Sequence, residues 1–346
     1  MPMPHSTLSS SCAITIRPRR TPERLGGNRG KRGVGRMTDG LSLLQKRLME
    51  AAADIRDGEP DDIAYQHSIL CQTSLPAAKP PEGVLRWEKR QGRATLLVQA
   101  GEVLDPKTSR YSQLPLPYGP KARLLLMHLN GEAVRRQSPI IPVEDSMTAF
   151  FRRLMGKTQD GRQVRMLKAQ LSALAAATFR MGIVNGDHAL QVDTKVVGAF
   201  NLWFDKDQSQ RVLWPSTLKL SLDYYESLTR HAVPLDERAI SALRDSALAL
   251  DVYCWLAQRL HRIPESKPQF VPWAALHEQF GLGYAQIRQF RAFFLRQLAE
   301  VKAVYPEARL ETDGGGITLT HSQPPVRKLL VSVPRAIGDA PGPDLI

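Results

Sequence analysis

The chain has 346 residues, 42% of them hydrophobic, which is too long for one ordinary core and suffices to fill two compact units with extensions. With 47 Lys and Arg against 34 Asp and Glu, the formal charge of +13 points to a polyanionic partner, either nucleic acid or an anionic membrane surface. No run approaches the roughly 18 continuous apolar residues that cross a bilayer, which excludes a membrane-spanning helix and leaves peripheral attachment open.

The charge is concentrated at the start, where Arg17, Arg19, Arg20, Arg24, Arg29, Lys31, Arg32 and Arg36 face Glu23 alone, so that +7 of the +13 lies in residues 1–36. This stretch is rich in glycine, has little to bury and reads as a disordered basic tail. It lacks the apolar core and cleavage site of a secretory signal. Three readings fit it: a nucleic-acid-binding arm, a solvated tail, or translated sequence upstream of a true start at Met37. The last two are favoured, because folded periodicity begins only after Met37.

Residues 37–115 read as an N-terminal helix and short strands, packed on or preceding a first domain. Leu41, Leu44, Leu48, Ala52 and Ile55 recur at helical spacing up to the break Asp57-Gly58-Glu59-Pro60. The segments His67–Pro76, Val84–Trp87 and Thr95–Val98 read as short strands joined by turns. A loop over Asp105–Pro117 follows.

Two segments then repeat one order of elements without aligning as a sequence repeat. In residues 116–230, a helix over Pro120–Arg136 precedes a strand at Pro139–Val143. Asp145-Ser146 caps a short helix ending near Met155. The turn Gly156–Gly161 leads to a long helix from Arg162, and two strands over Thr178–Val184 and Ala189–Phe204 flank an Asn185-Gly186-Asp187 turn. In residues 231–323, a helix over Asp236–Arg262 precedes a strand at Gln269–Val271 and a short helix over Trp273–Phe280. After a Gly281–Gly283 turn comes a helix over Tyr284–Val304, then a hairpin of Ala308–Glu311 and Ile317–His321 around Asp313-Gly-Gly-Gly316. Helix, strand, helix, turn, helix, hairpin is the winged-helix order, so the expected fold is α+β: two tandem winged-helix domains behind a short β-containing N-terminal region. Residues 324–346 read as a disordered tail.

On the helix from Tyr284, the residues Ile287, Phe290, Phe294, Leu298, Val301 and Tyr305 fall on one face at helical spacing. Ala285, Gln289, Ala292 and Arg296 fall opposite, flanked by Arg288, and such a mixture of small residues and long hydrogen-bonding side chains suits a major groove. Tyr284, Gln286, Arg288, Gln289, Arg291 and Arg296 are therefore the candidate DNA-binding residues there. Arg291 leans toward the apolar side, as a snorkelling residue or a phosphate contact, and ranks below Arg288 and Arg296. On the helix from Arg162, Val164, Leu167, Leu171, Leu174 and Ala175 turn inward, leaving Arg162, Gln163, Arg165 and, at the margin, Lys168 as candidates. Each row also fits ordinary solvated charge on an amphipathic helix.

Cys12, Cys71 and Cys254 lie far apart along the chain, which excludes a Cys-x-x-Cys redox pair and makes a reducing cytoplasm the simplest compartment. Cys254, in an apolar run, reads as a small buried hydrophobe. No catalytic constellation emerges. Gly156-Lys157-Thr158 ends like a phosphate-binding loop, but Phe151 stands where that loop needs glycine. The histidines are too scattered for a zinc site, and no His-hydrophobe-His pair of a relaxase is present. Tyr224, Tyr225, Arg230 and His231 lack the order a tyrosine recombinase requires. The reading is a binding protein, not an enzyme, with no cofactor and no metal.

The runs Leu116-Pro-Tyr-Gly-Pro-Lys-Ala-Arg-Leu-Leu-Leu126, Ser138-Pro-Ile-Ile-Pro142, Asp145-Ser-Met-Thr-Ala-Phe150 and His67-Ser-Ile-Leu-Cys-Gln-Thr-Ser-Leu-Pro76 resemble the plasmid-encoded RepA replication initiators of bacteria. So do Leu213-Trp-Pro-Ser216, Leu220–Tyr224 and Tyr253-Cys-Trp-Leu-Ala-Gln-Arg259, and together the motifs run from Ile63 to His321. The resemblance implies two winged-helix domains that bind direct repeats in double-stranded DNA at a plasmid origin, help to open the duplex and recruit the host replicative helicase and host initiator. It also implies a monomer–dimer equilibrium linked to copy-number control. The Tyr284 helix becomes the principal base reader, and the Arg162 helix supports it or forms a dimer interface. A winged-helix transcriptional repressor is the alternative, and a DNA-processing enzyme a more distant one.

Overall fold

The structure, a computed structural model, describes residues 41–105, 108–142, 161–185, 188–200, 217–281 and 283–327. Helix α1 (Leu43–Asp57) leads to strand β1 (Ile63–His67), the short helix α2 (Ser68–Gln72), the hairpins β2 (Arg86–Gln91) with β3 (Ala94–Gln99) and β4 (Glu102–Asp105) with β5 (Arg110–Gln113), and helix α3 (Gly119–Arg136). Next come β6 (Ile140–Pro142), α4 (Gly161–Ala176), β7 (Thr178–Asn185), β8 (His188–Lys195), β9 (Val197–Phe200) and β10 (Thr217–Leu220). The chain continues through α5 (Leu222–His231), β11 (Ala232–Asp236), α6 (Glu237–Leu243), α7 (Ala247–Arg259) and a 3-10 turn at Leu260–Arg262. It closes with β12 (Gln269–Pro272), α8 (Trp273–Phe280), α9 (Ile287–Val304), β13 (Leu310–Thr312) and β14 (Gly316–Leu319). The fold is thus mixed helix and strand.

The readings of the basic tail, of Met37, of the Asp145-Ser146 cap and its short helix, of the Gly156-Lys157-Thr158 turn, of Leu213–Ser216 and of the chain beyond Arg327 lie outside the described residues.

Local sequence explains the element ends. Ser42 and Gln45 form a reciprocal capping box at α1: the Gln45 amide N–H donates to Ser42 Oγ at 3.2 Å, and the Ser42 amide N–H donates to Gln45 Oε1 at 2.8 Å. The segment expected as a strand from His67 is helical from Ser68, because His67 Nδ1 accepts the Ile69 amide N–H at 3.2 Å and caps α2. With Nδ1 an acceptor, Nε2 carries the proton and donates to Ser227 Oγ at 3.0 Å. The long helix expected over Asp236–Arg262 is two. Asp236 caps α6 through the Arg238 amide, and Ser246 caps α7 through the Ala249 amide, so two side-chain caps interrupt an otherwise continuous apolar run.

Strand pairing ties distant parts of the chain together. Strand β1 pairs antiparallel with β11, Ile63 opposite Asp236 and His67 opposite Ala232. The sheet β2-β3-β7-β8 joins the N-terminal hairpin to β7, Ala94 opposite Ile183 and Gln99 opposite Thr178. The second strand expected over Ala189–Phe204 breaks: β8 stays in this sheet, while β9 pairs with β10 in the separate sheet β6-β10-β9. In the first segment, therefore, the strand after α3 and the hairpin after α4 belong to different sheets.

Helix α3 is buried along most of its length, from Ala122 to Ala133. The polar side chains it takes inside are matched. Arg123 pairs with Asp251 at 2.6 and 2.8 Å and donates to the carbonyls of Leu75, Pro76 and Gly119. Asn130 donates to Gln66 at 2.9 Å and accepts the Tyr224 hydroxyl at 2.9 Å. One apolar cluster runs from Leu48 through α3 and α7 to Leu319. Cys71 and Cys254 are both buried within it, and the adjacent Cys71 thiol together with burial pushes the Cys254 thiol up. Their separation along the chain therefore does not keep them apart in the fold. Lys89 of β2 is also buried; its ammonium donates to the Glu278 and Gln279 carbonyls of α8 at 2.8 and 3.0 Å, and burial pushes its pKa down to about 8.

Candidate nucleic-acid interface

The last three-stranded sheet, β12-β14-β13, carries α8 and α9 in front of it, and its connections are short. Trp273 begins α8 and fastens it to the sheet: its amide N–H donates to the Gly315 carbonyl at 3.0 Å and its indole N–H to the Asp313 carbonyl at 3.2 Å. Asp313 shapes the turn between β13 and β14, where Oδ1 accepts the amide N–H groups of Gly315 and Gly316 at 2.7 and 2.8 Å. Gly316 must be glycine for packing, since a Cβ there would sit 2.3 Å from the Val271 carbonyl.

Between the helices, Gly281 takes its place for the same reason: a Cβ would meet His277 Cδ2 at 2.4 Å and the His277 carbonyl at 2.7 Å. The Gly281 amide N–H closes α8 on the His277 carbonyl at 2.7 Å, and His277 Nε2 donates across the turn to the Tyr284 carbonyl at 2.8 Å. Tyr284 lies in this turn, not in the helix, because α9 begins at Ile287 with Gln286 as its first capping position. Its ring packs 6.0 Å from Phe290 and 5.5 Å from Phe293, and burial pushes its hydroxyl pKa up.

Helix α9 buries Phe290, Phe294, Gln297, Leu298, Val301 and Val304, with Phe294 edge-on to Trp273 at 6.0 Å. Ile287, expected on that face, is 46% exposed because it stands in the first turn, before the helix meets the core. Arg288, Gln289, Ala292 and Arg296 are exposed as the periodicity requires, and Gln286, ahead of the helix, is exposed too. Arg296 lies 5.1 Å from the Phe293 ring centre. Arg291 is engaged otherwise: it stacks 5.0 Å over Trp273 and donates to the Asp313 and Gly314 carbonyls at 2.9 and 3.3 Å. In this geometry the guanidinium braces the hairpin turn against the helix, at the edge of the apolar face.

Of the four candidates on α4, Arg162 and Arg165 are exposed, while Gln163 and Lys168 are half-buried. Leu167, Gln170, Leu171 and Leu174 form the buried face, and Val164, expected inward, is half-buried at its edge. The ten candidates thus divide into six on α9 and its approach and four on α4. Sequence periodicity did not single out Trp273, His277 or the Asp313 side chain, which build the frame around α9. The one local signal was an Asp preceding a glycine run.

Among the described residues no group of three His, Cys, Asp or Glu side chains lies close enough to hold a metal ion. No helix among them is long and apolar enough to cross a membrane.

No curated protein matches the chain. Among solved structures it is similar to two crystal structures of domains 2 and 3 of RctB, both distant. One is 10% identical with a TM-score of 0.45, covering 73% of this chain and 98% of that one. The other is 12% identical with a TM-score of 0.43, covering 72% and 94%. Residues 116–274 match the model of the family described as plasmid encoded RepA protein. The matched stretch runs from just before α3 to the first residues of α8, so the His67–Pro76 motif and α9 lie outside it. Over residues 116–274, the resemblance read from the Leu116–Leu126 run and its companions is matched by the plasmid-encoded RepA family model.

Proposed function

We propose that this chain is a plasmid replication initiator that binds direct repeats in double-stranded origin DNA through two winged-helix domains, residues 116–230 and 231–323. It promotes origin opening there and recruits the host replicative helicase and host initiator, without intrinsic catalysis and without a cofactor. In this reading it acts in the cytoplasm and exchanges between monomer and dimer. The observation that carries the proposal is the match of residues 116–274 to the plasmid-encoded RepA family. The exposed row Arg288, Gln289, Ala292 and Arg296 on α9, beside a glycine-turned hairpin, supports it with the donors and small residues that base edges accept. Helix α9 is then the principal reader, and α4 with Arg162, Gln163, Arg165 and Lys168 supports it on the phosphates or at a dimer interface.

The test is a footprint of the purified protein on the plasmid that encodes it. Protection of direct repeats about 20 base pairs apart, two helical turns, beside an A·T-rich tract is expected. Protection confined to an inverted repeat over the gene's own promoter would make the protein a repressor.

A further inference from the structure

The end of α7, the following 3-10 turn, the β2–β3 turn and the start of β12 enclose a cleft of about 220 Å³. Its lining is mixed and cationic: Gln91, Gln258 and Gln269 supply amides and Arg259 and Arg262 guanidinium groups, with Trp255 and Ile263 beside them and, among the described residues, no acidic side chain. None of the ten candidate reading residues lines it.

Arg259 is half-buried, and burial lowers its pKa. Its Nε and Nη2 both donate to Gln269 Oε1, at 3.2 and 3.0 Å, and the guanidinium lies 5.6 Å from the Trp255 ring centre. One neutral amide oxygen takes two of its donors and an indole lies beside it, which leaves the charge without a counter-ion; among the described residues Arg259 has no carboxylate partner. Arg262, exposed on the same cleft, has none either. Gln258 is only 5% exposed as a residue, but its amide is not sealed off and opens onto the cleft. An amide open to the cleft is available as a donor, and a guanidinium partly removed from water ordinarily acquires an anion. At Gly92, the backbone edge of the cleft, a Cβ would meet nothing within 4 Å, so the approach is open.

We propose that this cleft binds a phosphate group, with the remaining guanidinium donors of Arg259, those of Arg262 and the amide of Gln258 as its ligands. A tetrahedral oxyanion matches the forked donors of arginine and accepts the amide N–H as well. The phosphate belongs either to a nucleic-acid backbone or to a free phosphate compound such as a nucleotide. The site goes beyond the reading face on α9 and does not depend on it.

The full chain is titrated with inorganic phosphate and, separately, with ATP, each followed by phosphorus NMR against chloride at matched ionic strength. Saturable binding is expected, weakened about tenfold in R262Q, the loss of one charge-assisted hydrogen bond. Arg262 is exposed, so R262Q keeps the fold; Gln258→Leu reaches the same site through a different ligand and is expected to weaken binding too. Binding of duplex DNA is then measured against salt. A slope smaller by about 0.9 in R262Q assigns the cleft to a backbone phosphate. An unchanged slope, with ATP displacing inorganic phosphate, assigns it to a free phosphate ligand. Absence of saturation, or equal binding by wild type and both variants, overturns the site. Failure of the wild-type chain to bind DNA would defeat the initiator reading and leave the phosphate titration able to decide this one.

Discussion

The guanidinium of Arg291 lies 5.0 Å over the Trp273 ring while it holds the carbonyls of Asp313 and Gly314. Trp273 itself holds the same turn through its indole N–H, which donates to the same Asp313 carbonyl. One side chain from α9 and one from α8 therefore fix the hairpin turn relative to the exposed row of α9. Replacing Arg291 by alanine is expected to lower stability by about 1–2 kcal/mol, less than the sum of a surface cation–π contact and two charge-assisted hydrogen bonds because water reaches the exposed carbonyls in the variant. Urea denaturation reads the loss. Binding to a repeat should weaken while Arg288 and Arg296 remain in place, and unchanged affinity would show that the turn takes no part in recognition.

Arg288 and Arg296 pose the opposite case, because they are exposed and hold no backbone of the hairpin. R288A and R296A should each leave stability within about 0.5 kcal/mol of wild type. Each should cost about 1–3 kcal/mol in specific binding if it reads a base. Competition of repeat against random duplex measures the difference; a uniform drop on both would mark phosphate contacts instead.

Gly281 tests the turn between the helices. G281A places a methyl group 2.4 Å from His277 Cδ2 and 2.7 Å from the His277 carbonyl. The imidazole must then leave the Tyr284 carbonyl, and a loss of about 1–3 kcal/mol is expected from overpacking. Calorimetric unfolding checks this, and a wild-type midpoint would show that the turn relaxes freely.

His67 supplies a pH dependence. It is buried between Tyr224, 6.2 Å ring to ring, and His231, 5.8 Å, with its Nε2 proton on Ser227. Burial, reinforced by His231, pushes its pKa down to about 3 from 6.5. The folded imidazole stays neutral where the unfolded one takes up a proton, so the unfolded state binds more protons below pH 6.5. The contribution is fully present above pH 6.5 and is lost as pH falls from there toward 3, with a slope of about 1.4 kcal/mol per pH unit. Urea midpoints at pH 7, 6 and 5 should show it. H67N keeps an α2 cap without the titration, and an equally steep acid loss in that variant would place the proton uptake elsewhere.

The last unit was legible from sequence because its elements are short, amphipathic and bounded by local signals: the α8 span, the Gly281 turn and the buried row Phe290, Phe294, Leu298, Val301 all follow from spacing alone. What periodicity does not carry is pairing across the chain. Nothing near Ile63 announces Asp236 as its partner, and nothing near Ala94 announces Ile183. The break at Ser246 was hidden for a different reason. A serine inside an alanine- and leucine-rich run is a weak helix breaker until its hydroxyl finds the Ala249 amide. At the candidate interface, exposure of Arg288, Gln289 and Arg296 could be read from their angle around α9, whereas Arg291 could not. Its place at the margin of the apolar face is the same whether it reaches phosphate or carbonyl.

The ammonium of Lys89 closing the carbonyl end of α8 has a bearing on how the molecule can be taken apart. A fragment excised at residue 231 would carry α8 without that cation and β11 without β1, so two backbone edges satisfied in the intact chain would face solvent. Truncation libraries that spare residues 60–100 are thus the ones expected to yield soluble pieces, because β1 and β3 there cover the edges of β11 and β7.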